Sequence, residues 1–450
     1  MHTTQTYPLS QRFLAVAQPR SGMLAYLRGF ALTVWLFTML FRLWWVSDWW
    51  ALQELFQSGF DVKGYFYYGF AVMIAGHLTL GPQAWISAPF AILSDWTGRL
   101  ITVFLLMMLC LAPLSIKQWN SGKYAVATLV VLILMHLFWM SNYRVLQRVL
   151  TITGIVLFAW LLILFVKHGL RGGFAGQIGG INRNVTSTAA LAAMIFTLFS
   201  PKPMIRWGAL CCAGFLIVAV TSRGSILAMG VFVAVYYALH KGTMKAAVHA
   251  LLACLLGGVI FATIPFFQDL ILNDIFRLHQ RDRGFGSGFS GRFDMWKQAL
   301  ESVWKKPVLG WGFRTTSQGG GGNFGGIHSA YIKIVLEGGF VGAFLLIAAS
   351  ITELVRRLKL SMRLRIMRPG DMPGVDVAQS YQINTLACAS MCSLMTLWIY
   401  DQYYINLGSP ISIVFFLMIV APTFITSQGI TLRQPEAKIR QLALVGGMRR

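Results

Sequence analysis

Acidic residues are scarce in this chain: 15 Asp and Glu stand against 38 Lys and Arg, a formal charge of +23. Charged residues of both signs make up only 12% of the 450 residues, hydrophobic ones make up 56%, and the mean hydropathy is +0.63. A soluble domain cannot bury that much apolar surface, so the composition indicates a polytopic membrane protein. Cysteine is sparse too. Cys110, Cys211, Cys212, Cys254, Cys388 and Cys392 all fall inside apolar runs, which argues against outer-loop disulfides and a thiolate metal site. The opening MHTTQTYPLSQRFLAVAQPR is polar and basic, unlike a cleavable signal, so the first span is expected to remain in the mature protein. By eye the chain holds no internal repeat.

What is present is a series of apolar runs. The expected fold class is all-α, with about twelve transmembrane helices near 28–46, 64–80, 99–115, 122–140, 148–167, 185–199, 205–220, 225–240, 246–266, 330–354, 381–403 and 408–427. The stretch 83–97 reads as re-entrant or as part of a tilted span. Three regions follow: spans one to nine in 1–266, a larger outer loop in 267–329, and spans ten to twelve in 330–450 with a basic inner loop and tail. Orientation comes from the basic residues. Arg144, Arg148, Lys202, Arg206, Lys241, Lys245, Arg356 to Arg368 and the tail fall on one side, which makes that side cytoplasmic and puts both termini there. Much of the net charge is this topology signal and needs no nucleic acid. The inner stretch 355–380 begins as a basic amphipathic segment suited to anionic membrane lipids and breaks at Pro369-Gly370.

The outer loop breaks that bias with Arg277, Arg281, Arg283, Arg292, Lys297, Lys305, Lys306 and Arg314. Basic excess on the translocated side points to an anionic ligand or to anionic headgroups. Within the loop, Phe293, Trp296, Leu300, Val303 and Trp304 recur at helical spacing and predict an amphipathic helix at the membrane interface, capped by Ser290-Gly291 and ended by Pro307. SQGGGGNFGG then leads to His328, either as a mobile cover over a long substrate or as a slack linker.

Four outer sites carry candidate chemistry. The glycine-rich 169–184 stretch, with Arg171 and Arg183, allows close backbone approach to a ligand. Thr221-Ser222-Arg223-Gly224 places an arginine at a span end, where it either faces a polar cavity or snorkels to headgroups. Ser290-Gly291-Arg292 opens the amphipathic helix. His328-Ser329 precedes the tenth span, in which Glu337 is an intramembrane carboxylate expected to be paired or hydrogen-bonded in a structural role. Singly, each has a bland reading. Together, arginines suit a pyrophosphate leaving group, and a histidine suits removal of a proton from an acceptor hydroxyl. So few carboxylates lie outside that no Mg²⁺ cage is expected, and no cofactor.

These residues resemble the O-antigen ligase/polymerase superfamily of bacterial envelope glycosyltransferases. The matching elements are Ser222-Arg223-Gly224, Gly291-Arg292 with Trp296, the turn of Pro307, Leu309, Gly310 and Gly312, and His328 opening a helix with Glu337, Gly338, Gly339 and Gly342. The resemblance implies a metal-independent, inverting transferase in the bacterial inner membrane with its site facing the periplasm. It would take a glycan from an undecaprenyl-pyrophosphate carrier. The acceptor would be lipid A-core for a ligase, or a second lipid-linked glycan for a polymerase; a protein hydroxyl is a further branch, and a lipid-linked glycan transporter is the competing class. On this resemblance Arg223 and Arg292 hold pyrophosphate and His328 activates the acceptor. Arg183, Asn184, Ser222, Trp296, Arg314 and Ser329 are candidate substrate contacts, with Gly291, Gly338 and Glu337 in support. Many relatives have His-Asn where this chain has His328-Ser329, a departure that bears on the acceptor.

Overall fold

Without water to satisfy them, backbone groups in an apolar run must bond within the run, so each such run is expected to close into a helix. The computed structural model describes residues 82–432 apart from 116–117, 141–142, 170–176, 179–180, 266–267, 269–271, 273–291, 314–326, 369–370, 373, 402–404, 406–408 and 427–430, together with Phe30. The elements are α1 (Pro82–Leu93), α2 (Trp96–Cys110), α3 (Gln118–Trp139), α4 (Tyr143–Leu164), β1 (Gln177–Ile178), β2 (Ile181–Asn182), α5 (Arg183–Thr197), α6 (Pro203–Ala219), α7 (Arg223–Lys241), α8 (Thr243–Thr263), α9 (Arg292–Lys305), α10 (Ala330–Ile366), α11 (Val377–Tyr400), α12 (Pro410–Ile419), β3 (Phe424–Ile425) and β4 (Thr431–Leu432). The strands form two minimal antiparallel ribbons, β1–β2 and β3–β4, which the all-α expectation did not include.

Among the described residues, five helices are long and apolar enough to cross a membrane, or six if α1 and α2 count as one bent span. α6 and α12 are apolar but shorter. The expected spans at 28–46 and 64–80 lie outside the described residues. The ambiguous 83–97 stretch is a sharp bend: the α1 and α2 segments meet at 109°. Asp95 caps α2 by accepting from Gly98 N–H at 3.3 Å, and the bend is so tight that a Cβ on Gly98 would lie 2.0 Å from the Ile92 carbonyl oxygen.

Neighbouring helices run antiparallel, which sorts their ends into two groups. Along α2 and α10, Gly338 meets Met108 while Arg356 meets Asp95. Along α7 and α11, Gly224 meets Tyr400 while the Tyr381 hydroxyl donates to Leu239 O at 2.7 Å. One end therefore gathers 183–187, 221–225, 305–313, 327–342 and 395–401. The other gathers 94–97, 239–242, 353–366, 376–385 and 421–426, and holds the basic connections.

Two features of α10 depart from a simple span. First, it breaks at Gly339, with φ 63° and ψ −170°. The turn after α9 seats in the break: Trp311 N–H donates to Leu336 O at 2.9 Å, Gly312 N–H to Glu337 O at 2.9 Å, Phe340 N–H to Pro307 O at 2.8 Å and Val341 N–H to Val308 O at 3.2 Å. Phe313 beyond the turn is buried edge-on to Phe104 and Tyr124. Second, the helix continues to Ile366, so the stretch read as an inner loop starts as buried helix. Arg356 pairs with Asp95 at 2.6 Å and with Glu353. Arg357, fully buried, donates to Glu353 at 2.7 Å, Asn384 Oδ1 at 2.7 Å, Pro422 O at 2.5 Å and Ala421 O. Paired with carboxylates and hydrogen-bonded, these charges meet the condition under which ions are tolerated in an apolar bundle.

The predicted stripe on α9 is two adjacent faces. Trp296, Ala299 and Val303 pack inward on Ile327 and Leu336, whereas Phe293, Leu300 and Trp304 are exposed. The inward face fixes α9 to the bundle, and the outward face is apolar enough to lie against lipid.

Candidate functional site

Three helices begin with an arginine at the same end of the bundle: α5 with Arg183, α7 with Arg223 and α9 with Arg292. A fourth, α10, begins two residues after His328. The link between α5 and α7 is a hydroxyl network: Ser222 donates to Asn184 Oδ1 at 3.4 Å and to Ser225 at 3.2 Å, and Ser187 and Ser225 share a bond of 2.8 Å. The other helices meet at the end of α11. Gly224 has no room for a Cβ, which would lie 2.8 Å from Tyr400 Cβ. Arg292 reaches the Tyr400 carbonyl oxygen at 3.4 Å, and the Tyr331 hydroxyl donates to Met395 O at 3.0 Å.

Helix N-termini carry unsatisfied N–H groups and partial positive charge, so an arginine at each is repelled by its own helix. Such an arrangement is stabilised when an anion sits among them. Asp401, buried at the C-terminal end of α11, lies close enough to Arg292 to favour its charged form, against a burial that pushes the guanidinium down from its ordinary value.

His328 is half-buried, and its pKa lies below the ordinary histidine value, first because of burial and then because Arg292 and Arg183 face it. The imidazole is therefore neutral near pH 7, the form that can accept a proton. Its Nδ1 is buried with no hydrogen-bond partner among the described residues. Among the described residues no carboxylate bonds the ring, and the backbone around it is tightly held. His328 has φ +45°, a strained conformation for a non-glycine residue, and Trp296 Nε1–H holds the preceding Ile327 carbonyl at 2.6 Å. Thr221, at φ +50°, is the other non-glycine residue with positive φ among the described residues, and it lies one residue before Ser222. The two strained residues thus precede α7, which opens with Arg223, and α10, whose N-cap is Ser329.

The structure accordingly brings together Arg183, Asn184, Ser222, Arg223, Arg292 and His328. Ser329 is buried at the start of α10. Trp296 supports the His328 backbone. Glu337 and Gly338 stand apart in the α10 break: Glu337 is fully buried, lies 3.9 Å from Lys333, and its backbone oxygen receives Gly312. Gly291, Arg314, Arg171, the Ser290 cap and the glycine run before His328 lie outside the described residues. Among the described residues, no three of His, Cys, Asp and Glu gather as a metal-holding group.

Asp401 was missed from the sequence, although it falls inside the expected span 381–403, where a carboxylate is itself a functional signal.

Residues 207–347 match the family described as O-antigen ligase. No curated protein matches the chain. The matched region runs from α6 through the α10 break, and takes in Arg223, Arg292 and His328.

Proposed function

We propose, from the premise that the chain belongs to the O-antigen ligase/polymerase superfamily, that it moves a glycan from undecaprenyl pyrophosphate to an acceptor hydroxyl at the periplasmic face of the inner membrane. The observation that carries this reading is the convergence of four helix N-termini, three headed by Arg183, Arg223 and Arg292, around a neutral His328. The pyrophosphate of the donor sits among the arginines and the helix N–H groups, and the polyprenyl tail runs into the bilayer between spans. His328 takes the proton of the acceptor hydroxyl as that oxygen attacks the anomeric carbon. The bond from that carbon to the pyrophosphate oxygen breaks, with inversion, and polyprenyl pyrophosphate leaves with the electron pair on its oxygen, stabilised by the guanidinium groups. Each charge-assisted contact is worth about 1.5–3 kcal/mol, one to two decades in rate if made mainly in the transition state.

The preferred acceptor is the lipid A-core, which makes the chain a ligase. The test uses purified protein, a lipid-pyrophosphate glycan and candidate acceptors, with a chelator present. Wild-type turnover that His328→Ala abolishes supports a metal-independent transferase with His328 as base. Equal turnover in both removes His328 from the chemistry. In a deletion strain, polymer still made but not attached to core supports the ligase reading, and loss of the polymer itself makes the chain a polymerase.

A further inference from the structure

The basic end of the bundle holds a cleft that the transfer reaction does not use. It is about 430 Å³ in volume and lies where the α1–α2 bend meets α10, lined by Asp95, Trp96, Thr97, Arg99, Ile351, Thr352, Val355, Arg356 and Lys359 among others. That volume falls in the range of ~300–1,000 Å³ typical of small-ligand sites. Three cations and one carboxylate line it. The carboxylate, Asp95, is already engaged by Arg356 at 2.6 Å and by the Gly98 N–H at 3.3 Å, so it does not cancel the other two cations.

Arg99 is held in place because its Nε donates to Leu93 O at 2.6 Å, across the bend. Lys359, one helical turn beyond Arg356, is exposed and has no ion pair among the described residues. The first turn of α2 opens here, adding helix N–H groups. Thr97 is an independent sign of a missing ligand. It lines the cleft and is only 1% exposed, yet its hydroxyl has no hydrogen-bond partner among the described residues. Such a group normally finds one. The cleft is also flanked by apolar surface: Trp96 is 61% exposed, Ile351 46% and Val355 40%. A ligand with both a phosphate and an acyl chain matches a basic pocket beside an apolar wall at the end of membrane helices.

We infer that this cleft binds the phosphate headgroup of an anionic phospholipid from the leaflet at the basic end, with Arg99 and Lys359 on the phosphate, the Thr97 hydroxyl as a further contact, and the acyl chain along Trp96, Ile351 and Val355. This reading is independent of the transfer reaction at the opposite end.

Native mass spectrometry of the detergent-purified full chain tests it, with phosphatidylglycerol as probe, phosphatidylcholine as neutral control and inorganic phosphate as competitor. Wild type is expected to retain one tightly held phosphatidylglycerol that phosphatidylcholine does not replace. Arg99→Gln with Lys359→Gln should weaken that binding about 30-fold, since each basic residue contributes roughly fivefold near a charged headgroup. Lys202→Gln with Lys245→Gln, basic residues away from the cleft, should leave it unchanged. Thr97→Val keeps the shape and loses the hydroxyl: it should leave the lipid-free melting temperature unchanged or higher while weakening the lipid. Equal phosphatidylglycerol binding by wild type and the Arg99/Lys359 double variant overturns the proposal, as does equal retention of phosphatidylcholine. Displacement by millimolar inorganic phosphate also overturns it, since it would make the cleft a free-phosphate site.

Discussion

Gly339 is where a single methyl group should do the most damage. At φ 63° and ψ −170° it occupies backbone space open essentially to glycine alone, and a Cβ there would lie 2.1 Å from Val308 O and 2.3 Å from Val308 C. Those atoms belong to the backbone of the turn seated in the α10 break and have no rotamer by which to move aside. Alanine therefore brings strain of roughly 1–3 kcal/mol and unseats the turn. Four backbone hydrogen bonds go with it, at about 1 kcal/mol each. The sum, about 5–7 kcal/mol, is comparable to the whole stability of many domains. Two neighbouring glycines in the same motif make the control. A Cβ on Gly338 meets only Met108 Cε at 2.3 Å, the far end of a flexible side chain, and on Gly342 the nearest atom is Met107 Cε at 3.0 Å. Overpacking of this kind costs about 1–3 kcal/mol, offset by about 1 kcal/mol from alanine's better helix propensity. The assay is tryptic cleavage after Lys305, next to the turn, alongside turnover; Lys306 precedes Pro307 and resists trypsin. Gly339→Ala should speed cleavage and drop activity at least 100-fold, because the turn anchors the α9 end of the segment bearing Arg292. Gly338→Ala and Gly342→Ala should resemble wild type. Wild-type proteolysis and activity in Gly339→Ala, or equal damage in all three variants, refutes the argument.

Asp401→Asn removes the carboxylate facing Arg292 and should reduce kcat/KM for the donor by one to two decades, on the ~1.5–3 kcal/mol scale of charge-assisted contacts, with the melting temperature little changed. A large fall in melting temperature with unchanged kinetics would make Asp401 merely structural. Arg357→Met leaves the two buried carboxylates Glu353 and Asp95 with Arg356 alone, stranding one negative charge, and takes a donor from Asn384 and two backbone carbonyls; it should destabilise the protein by about 3–5 kcal/mol without altering donor KM in the folded fraction. Adding Glu353→Gln should recover part of that loss in a thermal melt; no recovery would mean that the stranded charge is not the cause.

Helix positions were legible because apolar runs report burial directly. The run read as 225–240 is α7 at Arg223–Lys241, and the run read as 185–199 is α5 at Arg183–Thr197. The sequence singles out His328 and the arginines by a basic excess that runs against the usual bias of span connections; that Arg183, Arg223 and Arg292 each head a helix at one end of the bundle is seen only in the packing. What stayed hidden depends on partners distant in sequence. Gly338-Gly339 reads as a small-residue patch in a span, and nothing local says that Pro307–Gly312 will fill a break there. Arg356 and Arg357 look like the start of a basic loop until Asp95, Asn384 and the 421–422 carbonyls close around them. The α9 stripe shows apolar spacing but not which half turns inward, since Trp296 and Trp304 carry the same signal.

The charges around His328 make its strength as a base depend on what else is bound. In the free protein, burial, Arg292 and Arg183 all depress its pKa. A pyrophosphate seated among the arginines adds negative charge and offsets the two cationic contributions, so the pKa must rise on donor binding. The imidazole then binds a proton more firmly and becomes the better base, while acceptor activation is suppressed in the empty site. The sign of the pH dependence follows. Base function is present above the histidine pKa and is lost as pH falls through it. The acid limb of kcat/KM, which reports the free protein, should therefore lie below pH 6.5, the ordinary histidine value. The limb of kcat, which reports the donor complex, should lie at higher pH than that of kcat/KM. Arg183→Gln removes one depressing charge and should move the kcat/KM limb upward, leaving the variant relatively weaker at pH 6 than at pH 7.5. A kcat limb at or below the kcat/KM limb would mean that the donor does not neutralise the arginines facing His328, and the pyrophosphate would have to bind elsewhere.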